Sequence, residues 1–177
     1  MNIKKAGYDT VIQFGTREDF DTKLKMNGET FDDVVNYTDE YGSSLLIACL
    51  VSFKFDLAKE FLARGAEVNR PTREGFNELH CLAGYIRYPG AVEVARILLD
   101  KGVSLMAQDK KYGNTALFTL CLEVFKVRSD ETMAFLEDCF RVAESFDIPN
   151  KRGITVRQII NNDSASEELK RIMEERS

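Results

Sequence analysis

The sequence predicts an all-α chain built from repeated pairs of helices. A stretch that opens on glycine and continues with helix-forming apolar residues occurs three times, at Gly42–Leu50, Gly75–Ala83 and Gly113–Cys121. The first two copies are each followed by a second apolar run with helical spacing that ends on glycine, at Leu57–Gly65 and Val94–Gly102. The first two turn glycines lie 33 positions apart, a period typical of repeat proteins. We therefore expect a short stack of helix pairs, a solenoid, within one domain.

The composition is that of an ordinary globular chain. The 177 residues are 44% hydrophobic and 30% charged, which argues against disorder. No apolar run reaches the roughly 20 residues of a membrane span. The lysines near the N-terminus are not followed by an apolar stretch, so we expect no signal peptide and a cytoplasmic protein.

Charge and cysteine spacing narrow the function classes further. The net charge of −5 makes nucleic acid a poor partner, since phosphates are held mainly by lysine and arginine, and it suits a basic protein partner better. The four cysteines are scattered and there is one histidine, so the paired ligands of a zinc site are missing. We expect no metal and no cofactor. Reduced cysteines packed as small hydrophobic residues are the simplest interpretation.

The N-terminal segment contains one clear helix. Residues 1–14 leave the assignment open, although Val11, Ile12 and Phe14 could belong to a short helix. Thr16 is a good N-cap for a helix in which Phe20 and Leu24 share a face. The glycine of Asn27-Gly28 should end that helix.

The next two units each contain an inner and an outer helix. We predict an inner helix over Leu45–Val51 and an outer one over Asp56–Arg64, with Leu57, Phe61 and Leu62 buried and Lys59, Glu60 and Arg64 in water. The second unit is four residues longer, around Tyr85–Gly90 between its helices. Two interpretations stay open for this insertion. Tyr85 and Ile86 could fold back over the helix pair, or the loop could contact a partner through Tyr85 and Tyr88.

The C-terminal third continues the pattern less regularly. After a turn with one extra residue, Asp109–Gly113, an inner helix runs to Val127, and Ser129 should cap an outer helix over Glu131–Ser145. A last inner helix is predicted within Gly153–Ile160. Ser166 should cap Glu167–Glu175, whose thin stripe of Leu169, Ile172 and Met173 suits a helix that shields the end of a stack.

The repeated stretches resemble the ankyrin repeat. The family pattern G-x-T-P-L-H-x-A is matched most fully at Gly75, Asn77, Leu79, His80 and Leu82. The other two copies match at Gly42, Ser44, Leu46 and Cys49, and at Gly113, Thr115, Leu117 and Leu120. The segments Asn36–Gly42 and Asn69–Gly75 also fit the family's interval from Asn to Gly. The family's proline is replaced, by Leu45, Glu78, Ala116 and Val156.

The resemblance implies an ankyrin-repeat solenoid of about four helix-pair units with short β-hairpin or loop tips. The expected units are 1–38 (a degenerate N-terminal repeat), 39–71, 72–108 (with the insertion), 109–149 and 150–177 (a C-terminal capping repeat). It also implies structural roles for Gly42, Gly75, Gly113 and His80. In the family the equivalent histidine bonds the backbone of a neighbouring turn. Because His80 and Cys81 are adjacent on a helix and point in different directions, they do not form a catalytic pair, and we expect no enzyme.

The family's groove supplies candidate binding residues. By resemblance, the tips and the exposed positions of the inner helices line one concave face. With the insertion, the expected partner-binding residues are Tyr37, Tyr41, Arg73, Glu74, Phe76, Tyr85, Tyr88, Lys111, Tyr112 and Asn114, and Glu40 and Lys110 lie beside them. The alternative is that Phe76 and the tyrosines simply pack against neighbouring tips.

The function implied is protein binding by a monomer, without catalysis. Small ankyrin proteins of this kind occur in bacteria, some as immunity proteins that neutralise a cognate toxin. An inhibitor of a basic toxin or enzyme is one interpretation of the acidic chain. A general intracellular adaptor or regulatory scaffold is the alternative.

Overall fold

A computed structural model describes residues 1–39, 41–163 and 166–176. These residues form eleven helices and no strand, which confirms the all-α prediction. The helices are α1 (Tyr8–Phe14), α2 (Arg17–Asn27), α3 (Phe31–Val34), α4 (Leu45–Val51), α5 (Phe55–Ala63), α6 (Glu78–Ala83), α7 (Ala91–Asp100), α8 (Ala116–Val127), α9 (Asp130–Val142), α10 (Val156–Asn161) and α11 (Glu167–Glu175). Two isolated antiparallel bridges, Thr38 with Ser44 and Gln108 with Thr115, lie in the turns before α4 and α8.

The helices pack as consecutive pairs. Helix α1 contacts α2, and the same holds for α4 with α5, α6 with α7, α8 with α9, and α10 with α11. The first members of the pairs, here called inner helices, contact one another in the order α1, α4, α6, α8 and α10. The outer helices α5, α7, α9 and α11 do the same. Each pair therefore packs mainly against the pair before it and the pair after it.

Four inner helices begin in the same way. A glycine with positive φ is followed two residues later by an N-cap whose side chain accepts a hydrogen bond from the N–H three residues further on. The glycines are Gly42, Gly75, Gly113 and Gly153, and the caps are Ser44, Asn77, Thr115 and Thr155. The first helical residue in each case is one of the four that stand where the ankyrin pattern has proline: Leu45, Glu78, Ala116 and Val156. The cap, rather than a pre-set φ angle, therefore begins each helix.

One continuous apolar core runs through the pairs. Its largest fully buried side chains include Phe20, Phe61, Phe135 and Phe140. The stripe predicted on α5 is buried, as is the stripe on α11. The predicted cap of α2 is also confirmed, since Thr16 and Asp19 form a reciprocal capping box.

The outer helices are connected by ion pairs on the surface. Arg17 pairs with Glu60, Lys59 with Glu93 at 3.0 Å, Arg96 with Asp138, and Arg141 with Glu168 at 3.8 Å. Each pair joins one outer helix to the next, from α2 to α11. For this reason Lys59 and Glu60, predicted to face water, are only half-exposed.

Two C-terminal predictions were wrong in detail. Helix α9 stops at Val142 rather than Ser145, because Ala143 is extended and Arg176 donates to the Ala143 carbonyl at 3.0 Å. Ser166 precedes α11, but its hydroxyl donates to Asp163 instead of capping the helix.

The short helix left open near the N-terminus is α1. It buries Val11 and Ile12 and leaves Phe14 exposed. None of the helices in the described part of the chain has the length and apolar character needed to cross a membrane.

Candidate protein-binding surface

Four turns precede the inner helices, and we call them the tips: residues 39–43, 72–76, 109–114 and 150–154. In each tip one polar side chain folds the turn by accepting backbone N–H groups. Asp109 is buried and accepts from Lys111, Tyr112 and Asn114 at 2.6–2.9 Å. The equivalent acceptors in the other tips are Asp39, Thr72 and Asn150. Hydrogen bonds inside each turn therefore fix its backbone, and the other side chains of the turn can face solvent.

The last three tips are also bonded to one another through their backbones. The N–H of Lys110 donates to the Glu74 carbonyl at 2.8 Å, and that of Lys151 donates to the Tyr112 carbonyl at 2.9 Å. This approach crowds two of the four turn glycines, Gly75 and Gly113. A Cβ on Gly75 would lie 3.1 Å from Lys110 N, and one on Gly113 would lie 3.2 Å from Lys151 N. Both glycines also have positive φ.

His80 connects two of these turns. Its Nε2 lies 3.1 Å from the backbone carbonyl of Asn114, so the bond expected between this histidine and a neighbouring turn is present. Its Nδ1 lies 2.9 Å from the Asn77 side-chain oxygen and 3.3 Å from Asn77 N, so a neutral ring that donates from Nε2 can accept at Nδ1 from Asn77 N only. Burial lowers the pKa of His80, which favours that neutral form. That His80 serves the fold rather than chemistry stays a prediction.

Two asparagines each form a hydrogen bond from one of the first two units to the unit that follows it. The sequence analysis gave them no such role. The side chain of Asn36 accepts from Glu67 N at 2.8 Å, and that of Asn69 accepts from Ser104 N at 2.6 Å. They stand one period apart in the sequence. That recurrence is the signal from which the role could have been predicted.

The predicted tip aromatics differ in how open they are. Tyr41 and Tyr112 are 62% and 50% exposed. Tyr37 is also exposed, but its ring packs edge-on against Tyr8 with the centroids 5.7 Å apart. Phe76 is half-buried against the ring of His80, which lies on the inner helix that follows its own tip, so this contact does not test the packing expected against neighbouring tips. Glu40 lies outside the described residues.

Tyr85 and Tyr88 lie away from the tips. They are on the loop after α6, at the opposite end of the inner helix, where Ile86 is buried as one interpretation expects. Their rings surround Phe53, whose centroid is 4.9 Å from that of Tyr85 and 4.5 Å from that of Tyr88. The sequence analysis did not single out Phe53, which has positive φ and is 46% exposed. The insertion therefore belongs to a separate aromatic cluster.

The charge of the tips differs from that of the whole chain. Although the chain carries −5, the exposed charged side chains of the last three tips are mostly basic. They are Arg73, Lys110, Lys111, Lys151 and Arg152, with Glu74 as the acidic exception. A hydrogen bond with the Tyr112 side chain raises the pKa of Lys111 above its usual range. The last three tips therefore carry mostly positive charge, although the whole chain is acidic.

An open cavity of about 530 Å³ lies between the third and fourth tips and the inner helices next to them. Lys111, Lys151 and Arg152 stand at its rim, and Leu122, Ile154 and Ile159 supply apolar surface. Its two tips are joined by a bond of 2.9 Å from the Asn150 side chain to that of Asn114. Leu122 and Ile154 are 41% and 37% exposed, which is unusual for large aliphatic side chains that lie together.

The cysteine thiols are buried or half-buried. Three cysteines, Cys49, Cys121 and Cys139, are buried, and burial raises the pKa of each thiol. Burial raises the pKa of the half-buried Cys81 to about 12. Thiols in such surroundings are poor nucleophiles at neutral pH. Within the described ranges, no group of three or more His, Cys, Asp or Glu side chains is placed to hold a metal ion.

Comparison of the chain with protein-family models and with curated proteins found no match.

Proposed function

We propose that this chain is an ankyrin-repeat protein that binds another protein through its tips and catalyses no reaction. The regular recurrence of glycine, N-cap and helix pair supports the repeat assignment. So does the order of contacts, in which each pair packs mainly against its neighbours. A cytoplasmic monomer is the setting that this proposal expects.

One observation carries the binding proposal. Backbone hydrogen bonds join the last three tips, so the backbones that carry the exposed Arg73 and Tyr112 side chains are held in fixed relative positions. A surface ordered before binding loses less conformational entropy when a partner arrives. Tyrosine and arginine are also the residues that most often dominate binding energy. Tyr41, Arg73 and Tyr112 are the anchors we expect to matter most.

The proposal is tested by capturing the partner from the source cell with the tagged chain and measuring its affinity for variants. Tyr41→Ala combined with Tyr112→Ala should weaken binding at least about tenfold, because each tyrosine is expected to be an interface anchor. The melting temperature should hardly change, since both side chains are exposed.

The matched control removes two other exposed apolar side chains, Phe14 and Met26, as Phe14→Ala with Met26→Ala. They lie on α1 and α2, away from the tips, and their loss should leave affinity within about twofold. If the control pair abolished binding and the tyrosine pair did not, the partner would use another face and the tip proposal would fail.

A further inference from the structure

The cavity between the third and fourth tips combines three basic side chains with aliphatic surface. Lys111 lies on one tip, and Lys151 and Arg152 lie on the next. No carboxylate lines this cavity, and none of the three forms an ion pair with a described residue. Asp109, an acid on the same tip as Lys111, is buried and already accepts three backbone N–H groups. The positive charge at this rim is therefore not neutralised within the described chain.

Part of that charge is held in position by the fold. The ammonium group of Lys151 donates to the carbonyl of Lys110 on the neighbouring tip. The ammonium of Lys111 lies 4.8 Å from the centre of the Tyr112 ring. No hydrogen bond from the Arg152 guanidinium is described, so its donors can turn toward a ligand.

We infer that this cavity binds an acidic, apolar segment of a partner protein, with carboxylates at the three cations and a large aliphatic or aromatic side chain over Leu122 and Ile154. The inference rests on the proposed function and deepens it. Cations spread over two tips suit several carboxylates along an extended chain rather than one terminal carboxylate. The net charge suggested a basic partner, but the local charge favours the opposite sign at this place.

Nucleic acid is the other polyanion that three cations could attract. Two features of the cavity favour a peptide. Its apolar surface is mostly aliphatic, and Tyr112 is the exposed ring there, whereas single strands are usually held by stacking on several aromatic side chains. The chain as a whole would also repel a long phosphate backbone, given its charge of −5.

The probe is a displayed library of random short peptides, selected on the immobilised full chain. Enriched peptides should combine Asp or Glu with Leu, Ile or Phe. A fluorescein-labelled representative should lose at least about tenfold in affinity for Lys111→Glu with Arg152→Glu, because attraction becomes repulsion, and its binding should weaken as salt is added. Both side chains are exposed, and circular dichroism should show an unchanged fold.

The matched control makes the same charge change far from the cavity, as Lys4→Glu with Lys5→Glu before α1, and should change affinity by less than about twofold. Basic or uncharged consensus peptides, no enrichment, equal affinity for the cavity variant, or tighter binding of single-stranded oligonucleotides would each overturn the inference. If the tip tyrosines matter for the captured partner while these results fail, the proposed function stands and only the partner's chemistry is wrong.

Discussion

Glu78 is a fully buried carboxyl at the first position of α6. One oxygen accepts from Asn69 N at 3.0 Å, and the other has no hydrogen-bond partner in the described part of the chain. Burial raises the pKa of this carboxyl above its ordinary value of 4.5. Burial therefore disfavours the ionised carboxylate in the folded protein, and ionising it in place costs stability.

The sign of the pH effect follows from that shift. A raised folded pKa gives stability that is present below pH 4.5, where the unfolded carboxyl is also protonated, and that is lost as pH rises through the folded pKa. Glu78→Gln keeps the shape without the charge. The unmodified chain should lose this contribution as pH rises, and the variant should not. The urea midpoint of the variant minus that of the unmodified chain should therefore increase from about pH 4 to about pH 8.

The control for Glu78 is an exposed glutamate, Glu174→Gln on α11, which should show no such trend. If the Glu78→Gln difference stayed flat with pH, or reversed, the pKa of the buried carboxyl would not be raised in the fold and the explanation would be wrong.

At the scale of an element, alanine substitutions at the tip glycines test how much the close approach of two turns contributes to stability. Gly113 and Gly153 both have positive φ, 69° and 76°. Alanine at either should cost about 1–2 kcal/mol for the left-handed backbone. Only at Gly113 would the new Cβ also press on Lys151, whose N–H is bonded to the adjacent tip. Gly113→Ala should therefore destabilise the chain more than Gly153→Ala, as measured by urea unfolding. Equal losses in the free energy of unfolding would mean that the contact between the two tips contributes little to stability.

At the scale of the whole molecule, ion pairs connect successive outer helices. Because the side chains are exposed, we expect them to align the stack without contributing much energy. A double-mutant cycle on Lys59→Met and Glu93→Gln should give a coupling below about 1 kcal/mol that shrinks further near 0.5 M salt. The control cycle, Arg171→Met with Glu175→Gln, is an ion pair inside α11 and should behave alike. A coupling of several kcal/mol would show that charge holds the pairs together.

The helices could largely be predicted from the sequence because their signals are local. Thr16, Ser129 and the four inner-helix caps lie within a few residues of the groups they bond. Helix α4 has the predicted bounds. The end of α9 could not be predicted, because Arg176, a residue far along the chain, bonds the carbonyl there.

The candidate surface was predictable only in part, for the same reason. The exposure of Tyr41 and Tyr112 follows from their places in the turns, and Phe76 packs on the ring of His80, which is only four residues further along the chain. Phe53 stands alone between two helices in the sequence and meets Tyr85 and Tyr88 only after the pairs have stacked. The basic cavity likewise depends on two tips that are a repeat apart.

The third tip holds one more residue than the others. Its organising side chain, Asp109, stands four positions before the turn glycine, whereas Asp39, Thr72 and Asn150 stand three before theirs. The cap nevertheless remains two residues after the glycine, and α8 begins at the next residue, as the other three inner helices do. Chain length can thus change on one side of the glycine without changing the distance from the glycine to the start of the helix. The segment before the turn glycine is therefore a place where evolution, or a protein engineer, can lengthen a contact loop while the inner helix still begins at the same distance from the glycine.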